Sequence, residues 1–236
     1  MSPRATPEAS PFPVLRADEP VGQVGNGGPV QVDAYVDVLC PWCFIGKRRL
    51  AAAVAQVADR GRVEIVWRSF ELSPLQGRVP GPTAAEAMSQ WWGDQADTRI
   101  AQIRSLGAAE GVELNLHKAR PVTTFDAHRI CHLATAEGVA DQMLEHLLRA
   151  YHTDGLNIAD PSVLQRLGAE AGLDISKVRS LLAGDAYADA VRADERRAAE
   201  HGVTGVPSLV IGARDPVSAV QPAAELRRLL EQALRG

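Results

Sequence analysis

Apolar and polar residues alternate at the start of the structured part of the chain. Residues 30–38 place apolar side chains at every second position, which predicts a strand. The Ala-rich stretch 41–59 predicts a helix, and residues 62–70 again show the pattern of a strand. A strand, a helix and a second strand in this order predict a βαβ unit with parallel strands and a right-handed crossover.

The middle of the chain carries helical patterns almost throughout. Residues 83–201 divide into predicted helices that glycines separate, with spans of 83–110, 124–137, 139–152, 160–171, 174–183 and 185–201. Strands over 208–212 and 216–219 follow as an antiparallel pair, and a helix over 222–235 ends the pattern. The fold class is therefore α/β, with a large all-α helical insertion over 83–201 between a first half (30–82) and a second half (202–236).

The sequence Cys40-Pro41-Trp42-Cys43 lies where the first strand leads into the first helix. Backbone N–H groups and the positive end of the helix dipole favour a thiolate at Cys40, which makes it the attacking nucleophile. Cys43 lies one turn further on and is the predicted resolving thiol. Pro41 suits the first helical turn, and Trp42 offers an apolar face on which a peptide or a small thiol can lie.

Two other interpretations of the cysteine pair are a zinc half-site and a structural disulfide. Zinc requires four ligands, and the chain contains no second pair of closely spaced cysteines. A structural disulfide is unusual in a chain that lacks a secretion signal. Redox catalysis by Cys40 and Cys43, with no metal and no organic cofactor, is therefore the favoured hypothesis.

A second signal lies far along the chain, where the turn 204–207 (Thr-Gly-Val-Pro) precedes an apolar run. Together with residues 38–50, 67–74 and 127–128 and the dipeptide Gln221-Pro222, it makes the chain resemble the DsbA-type thioredoxin superfamily, and most closely its FrnE-like branch. The resemblance covers residues 30–235 and implies a thioredoxin-like fold.

That resemblance also implies an activity and further site residues. It implies a thiol–disulfide oxidoreductase acting on protein disulfides or thiols, or on glutathione as a co-substrate. It further implies a cis peptide bond at Val206–Pro207, with the Val206 backbone binding an extended substrate segment. Finally, it implies that His128 lines the cleft beside the helical insertion and contributes to substrate binding or proton transfer.

Two alternative functions remain open from the sequence. One is a glutathione-dependent isomerase or transferase of the 2-hydroxychromene-2-carboxylate isomerase or kappa-class type. Relatives of that type use a hydroxyl group where this chain has Cys40, and the presence of both cysteines argues against it. The other is a non-catalytic tailoring factor in secondary metabolism.

Composition and charge limit the kinds of partner and the cellular location that we expect. The chain has 236 residues, 46% of them hydrophobic, and a net charge of −4 with mixed signs along its length, which gives no indication of nucleic-acid binding. No apolar run is long enough to predict a membrane span. Residues 1–29 are rich in Pro, Gly and Ala without an apolar signal core, so we expect a disordered leader and a cytoplasmic protein. The pattern does not predict an oligomeric state.

Three residues of the helical region share one helix face, because His128, Cys131 and His132 are spaced at i, i+3 and i+4. They are either a metal site or third redox thiol, or a buried cysteine flanked by two hydrogen-bonded histidines; the second is the more common arrangement. Glu71 is similarly ambiguous, since it is either a proton relay or, more commonly, a solvated loop charge.

Overall fold

The computed structural model describes residues 28–236, so the predicted leader lies almost wholly outside the described residues. The elements are, in chain order, β1 (Val30–Val36), α1 (Pro41–Ala55), β2 (Val63–Ser69), α2 (Ala84–Trp92), α3 (Ala96–Ala109), α4 (Phe125–Ala136), α5 (Ala140–His152), α6 (Pro161–Glu170), α7 (Ile175–Ala183), α8 (Ala188–Glu200), β3 (Ser208–Ile211), β4 (Val217–Ser218) and α9 (Ala223–Arg235). Short 3-10 turns cover Arg60–Arg62 and Gly93–Gln95.

The strands form one mixed sheet in the order β2-β1-β3-β4. β1 and β2 are parallel, with Val30 opposite Val63, which confirms the predicted βαβ unit. β3 is antiparallel to both β1 and β4, so the second half of the chain completes the sheet on the other side of β1. The central position of β1 places its carboxyl end, and the cysteines that follow, in the middle of the sheet edge.

The two faces of β1 pack into different parts of the core. Val32 and Ala34 belong to the main hydrophobic cluster, while Tyr35 packs with Val210 of β3 and Ala198 of α8. Successive side chains of a strand point to opposite faces, and both faces of β1 are covered by helices. The strand is consequently buried along almost its whole length, which fixes the point from which α1 starts.

Several predicted boundaries require correction. The span 83–110 is two helices, because Gly93 adopts φ +52°, a left-handed conformation that ends α2 before α3 begins. α1 ends at Ala55 rather than at residue 59, since the chain turns at Gln56 and forms the short turn Arg60–Arg62. None of the helices in residues 28–236 has the length and apolar character needed to span a bilayer.

Buried ion pairs fasten the helical region to α1. Lys47 is 4% exposed, and its Nζ lies 2.9 Å from Asp141 Oδ1 and 3.0 Å from Glu145 Oε2, both on α5. Arg48 also pairs with Glu145. Separating α5 from α1 would leave the charge of Lys47 uncompensated. These ion pairs therefore stabilise the packing of α5 beside the first turns of α1.

Gly46 brings α1 into direct contact with the second half of the chain. A Cβ atom on Gly46 would lie 3.0 Å from Pro207 Cγ and 3.1 Å from Ala219 Cβ, closer than ordinary packing allows. The absence of a side chain at this position therefore lets Pro207 lie against the helix that carries the cysteines.

We predict that Gly46→Val lowers the free energy of unfolding by about 1–3 kcal/mol, the usual cost of overpacking a core. Urea unfolding followed by circular dichroism measures it, with Gly61→Val as the matched control, since no atom lies within 4 Å of a Cβ built there. Equal stability of the two variants would contradict the close contact with Pro207.

Candidate functional site

Cys40 occupies the position that caps the amino end of α1. Its backbone is extended, with φ −86° and ψ 113°, and Pro41 is the first residue of the helix. The Cys40 N–H donates to Asp37 O at 3.1 Å, which closes the turn between β1 and α1. No side chain within the described residues caps this helix end, and the Cys43 N–H donates to Cys40 O at 3.0 Å.

The two sulfurs of the pair have different surroundings. Cys40 Sγ donates to the carbonyl oxygen of Val206 at 3.5 Å, whereas Cys43 Sγ accepts from the Asp37 N–H at 3.4 Å. Both cysteines are free thiols, and Cys43 is 0% exposed. Burial, reinforced by the hydrogen bond and the charge of Cys40, raises the pKa of the Cys43 thiol well above its ordinary value.

The turn before β3 faces the cysteine pair. The Val206–Pro207 peptide bond is cis, and Pro207 O accepts from the Ala219 N–H at 3.1 Å. The structure thus brings Val206, 166 positions away in sequence, and with it Pro207, to Cys40. Trp42 is half-buried and packs at the margin of the main core cluster, with part of its ring left open.

Asp37 is a site residue that the sequence analysis did not select. Its carboxylate is fully buried and accepts backbone N–H groups, from Leu39 at 3.3 Å and from Leu72 at 2.7 Å. Two such bonds hold a carboxylate in one orientation in an apolar setting. The available signal was an aspartate directly after β1, three residues before Cys40.

His128 lies behind the cysteine pair, beside Asp37. It is 2% exposed, and its Nε2 is 3.5 Å from Asp37 Oδ1, without a well-formed hydrogen bond to any residue in 28–236. The Nε2 atom and the Asp37 carboxylate thus stop short of a well-formed hydrogen bond. Cys40 itself is 6% exposed, so the ring and both sulfurs lie in the protein interior.

Glu71 is buried as well, so its interpretation as a solvated loop charge is wrong. Its side chain is 1% exposed, and Oε2 accepts from Arg192 Nη1 at 2.6 Å. Burial raises the pKa of the Glu71 carboxyl, although the hydrogen bond from Arg192 and the charge of His128 act in the opposite direction.

The remaining members of the α4 face are structural. His132 Nε2 lies 3.1 Å from Ser69 Oγ and 3.2 Å from Asp194 Oδ2, so its hydrogen-bonding capacity is used. Burial raises the pKa of the Cys131 thiol to about 12, which makes it inert. In the part of the chain that the structure describes, no three His, Cys, Asp or Glu side chains are arranged to hold a metal ion.

His152 packs beneath the turn that carries the cysteines. It is fully buried, and its ring faces the carbonyl groups of Val38 and Cys40, although neither ring nitrogen makes a well-formed hydrogen bond to the described residues. Burial lowers the pKa of His152 to about 4, against the opposing effects of those carbonyls and of Asp37. The neutral ring therefore acts as part of the floor of the site.

Comparisons with known proteins agree with this geometry. A family model described as a DSBA-like thioredoxin domain matches residues 31–233. The chain is similar to the probable DsbA oxidoreductase SCO1869 from Streptomyces coelicolor, at 37% identity and a TM-score of 0.82, covering 86% of this chain and 89% of that chain.

More distant solved structures share the fold alone. One is the cytosolic disulfide reductase DsbM from Pseudomonas aeruginosa with GSH, at 23% identity and a TM-score of 0.63, covering 87% of this chain and 100% of that chain. Another is a 2-hydroxychromene-2-carboxylate isomerase, at 20% identity and a TM-score of 0.63, covering 86% of this chain and 94% of that chain.

We predict that His152 makes folding sensitive to mild acid. In the unfolded chain His152 binds a proton near pH 6.5, whereas in the folded chain it binds one only near pH 4. The stability that His152 contributes is thus complete above about pH 6.5 and is lost toward pH 4, at about 1.4 kcal/mol per pH unit.

His152→Leu should remove this part of the pH dependence, as measured by urea unfolding at about pH 7 and about pH 5. His117→Leu is the matched control, since His117 is exposed, and it should keep the slope of the unsubstituted protein. The same slope in His152→Leu and in the unsubstituted protein would show that His152 is not held neutral.

Proposed function

The chain belongs to the family of DSBA-like thioredoxin domains, and from this we propose that it is a thiol–disulfide oxidoreductase that uses Cys40 and Cys43 as its redox pair. The observation that carries the proposal is the contrast between the two sulfurs. Cys40 caps a helix beside the Val206 carbonyl, while Cys43 is sealed behind it with a raised pKa. An attacking thiol and a resolving thiol require this difference.

The proposed reaction has two exchange steps. The Cys40 thiolate attacks one sulfur of a substrate disulfide, the substrate S–S bond breaks, and the first substrate sulfur leaves and takes a proton from solvent. Cys43 then loses its proton and attacks Cys40 Sγ, which releases the second substrate sulfur as a thiol. The substrate gains two electrons and two protons, and the protein becomes the Cys40–Cys43 disulfide. The same steps in reverse oxidise a dithiol.

The Val206 carbonyl supports a proposal for substrate binding. It accepts from the Cys40 thiol in the structure, and it becomes free to accept a substrate N–H when Cys40 ionises or enters a mixed disulfide. Backbone pairing of this kind binds an extended segment without regard to its side chains. Pro41 and Trp42 then border the bound segment on the side of α1, with Pro207 opposite.

Glutathione is the proposed small-thiol partner, with protein disulfides as the larger substrates. The DsbM structure, which shares the fold, contains GSH and supports this choice. We also propose a cytoplasmic location, where a glutathione pool would return the Cys40–Cys43 disulfide to its dithiol form.

The isomerase or transferase alternative is favoured by the fold that the chain shares with 2-hydroxychromene-2-carboxylate isomerase. Such an enzyme would bind glutathione at Cys40 and would not need Cys43. The contact between Asp37 N–H and Cys43 Sγ, together with the interaction between the two thiols, supports the redox pair instead.

We predict that substitution of either cysteine impairs insulin reduction with glutathione as the reductant, but at different steps. Cys40→Ser should abolish activity, because no attacking thiolate remains. Cys43→Ser should lower turnover at least about tenfold and accumulate a glutathione mixed disulfide on Cys40, visible by intact-mass spectrometry. Cys131→Ser is the matched control, and its activity should equal that of the unsubstituted protein.

Two outcomes would contradict this function. Full glutathione-dependent turnover in Cys43→Ser would favour the isomerase or transferase alternative. Absence of insulin reduction by the unsubstituted protein, with Cys40 unreactive toward oxidised glutathione, would favour a non-catalytic binding role.

A further inference from the structure

The second exchange step requires a proton acceptor for the buried Cys43 thiol. Cys43 is 0% exposed, yet it has to lose a proton before it can attack Cys40. A thiol sealed in the core has no direct exchange with solvent, and burial disfavours its charged form. A set of buried polar groups lies behind this sulfur and is not used by the first step.

We propose that Asp37, His128 and Glu71 form a proton-transfer route that connects Cys43 to the protein surface at Arg192. This inference rests on the proposed function, since only a resolving thiol needs to release its proton within the reaction. Its residues come from the turn after β1, from α4, from the loop after β2 and from α8.

The first link is Asp37. Its backbone N–H donates to Cys43 Sγ at 3.4 Å, and the charge of its carboxylate acts on the same sulfur. The carboxylate is oriented by the N–H groups of Leu39 and Leu72. Each carboxylate oxygen keeps a free lone pair after these bonds and is able to accept a proton.

The second link is His128, whose position is otherwise unexplained. A buried ring nitrogen without a well-formed hydrogen bond is rare in folded proteins, and such an exception calls for a reason. The Nε2 atom lies 3.5 Å from Asp37 Oδ1, so a small tilt of the ring completes a hydrogen bond. Histidine is suited to this link because imidazole accepts and releases protons near neutral pH.

The third link is Glu71, where the route reaches the surface. Oε1 is buried and has no hydrogen-bond partner among residues 28–236, while Oε2 is bound by Arg192. The charge of His128 acts on this carboxylate and partly offsets the effect of burial on its pKa. Arg192 is 43% exposed, so the pair that it forms with Glu71 opens to solvent.

Other titratable groups face the route and define its limits. Tyr151 and His152 of α5 lie within the field of Asp37, and Glu195 of α8 binds Arg192 at 2.7 Å. His152 is 0% and Tyr151 is 1% exposed, so neither leads to the surface. Glu195 is 26% exposed and binds Arg192 at the outer end of the route.

In the proposed step, the Cys43 S–H proton passes to the Asp37 carboxylate and from there to His128, while the Cys43 electron pair forms the bond to Cys40 Sγ. The mixed disulfide breaks, and the leaving substrate thiolate takes a proton from solvent. The proton held by His128 leaves through Glu71, so the route ends the cycle in its starting charge state.

A chromogenic aromatic disulfide tests this route, because each exchange step releases one coloured thiolate. In stopped-flow absorbance, His128→Gln should leave the first release unchanged and slow the second by about tenfold to a hundredfold near neutral pH. The defect should shrink as pH rises, since hydroxide replaces the missing base. Glu71→Gln should show the same pattern, and His146→Gln, a half-exposed histidine of α5 remote from the route, should match the unsubstituted protein.

The outcomes separate the route from the proposed function. An unchanged second release in His128→Gln would overturn the route while leaving the redox function intact. Equal slowing of both releases at every pH would show a structural role for His128 and would also overturn the route. A defect in His128→Gln alone would overturn the exit through Glu71. Absence of the first release in the unsubstituted protein would overturn the proposed function and, with it, this inference.

Discussion

The start of helix α1 at Cys40 is the constraint on which the rest of the structure depends. The buried central strand β1 ends at Val36, a tight turn follows, and Pro41 begins the helix. The first sulfur is thereby placed at the positive end of a helix, and the second is placed one turn inside it. The geometry of one strand-to-helix junction thus gives two chemically identical side chains different hydrogen-bond partners, and burial raises the pKa of the second.

The helical region does more than cover this junction. Asp141 and Glu145 of α5 neutralise Lys47, so a nearby positive charge is removed from the site rather than directed at it. His152 forms the floor below the turn, and His128 stands behind the carboxylate of Asp37. The sulfurs therefore lie between the half-buried Val206 and the buried Pro207 on one side and the buried polar groups on the other.

The sequence predicted those parts of the molecule that local pattern controls. Alternation gave β1 and β2, the position of Cys40 and Cys43 followed from the strand and helix around them, and the resemblance to known proteins directed attention to Pro207. Burial of Asp37 and Glu71 was not predictable, because it accompanies contacts with Leu72 and Arg192, which lie 35 and 121 positions away in sequence. Gly93 was missed as a helix break because glycine inside a helical pattern is often tolerated. His128 was placed at the site, but its role depends on a distance that no spacing rule provides.

Equilibration with glutathione redox buffers, read by intact-mass and peptide mass spectrometry after acid quenching, tests whether Cys40 and Cys43 form a redox pair. We expect one reversible two-electron transition between the dithiol and a Cys40–Cys43 disulfide, with Cys131 a free thiol in both states. Accumulation of glutathione on Cys40 without ring closure, or a disulfide that includes Cys131, would contradict it.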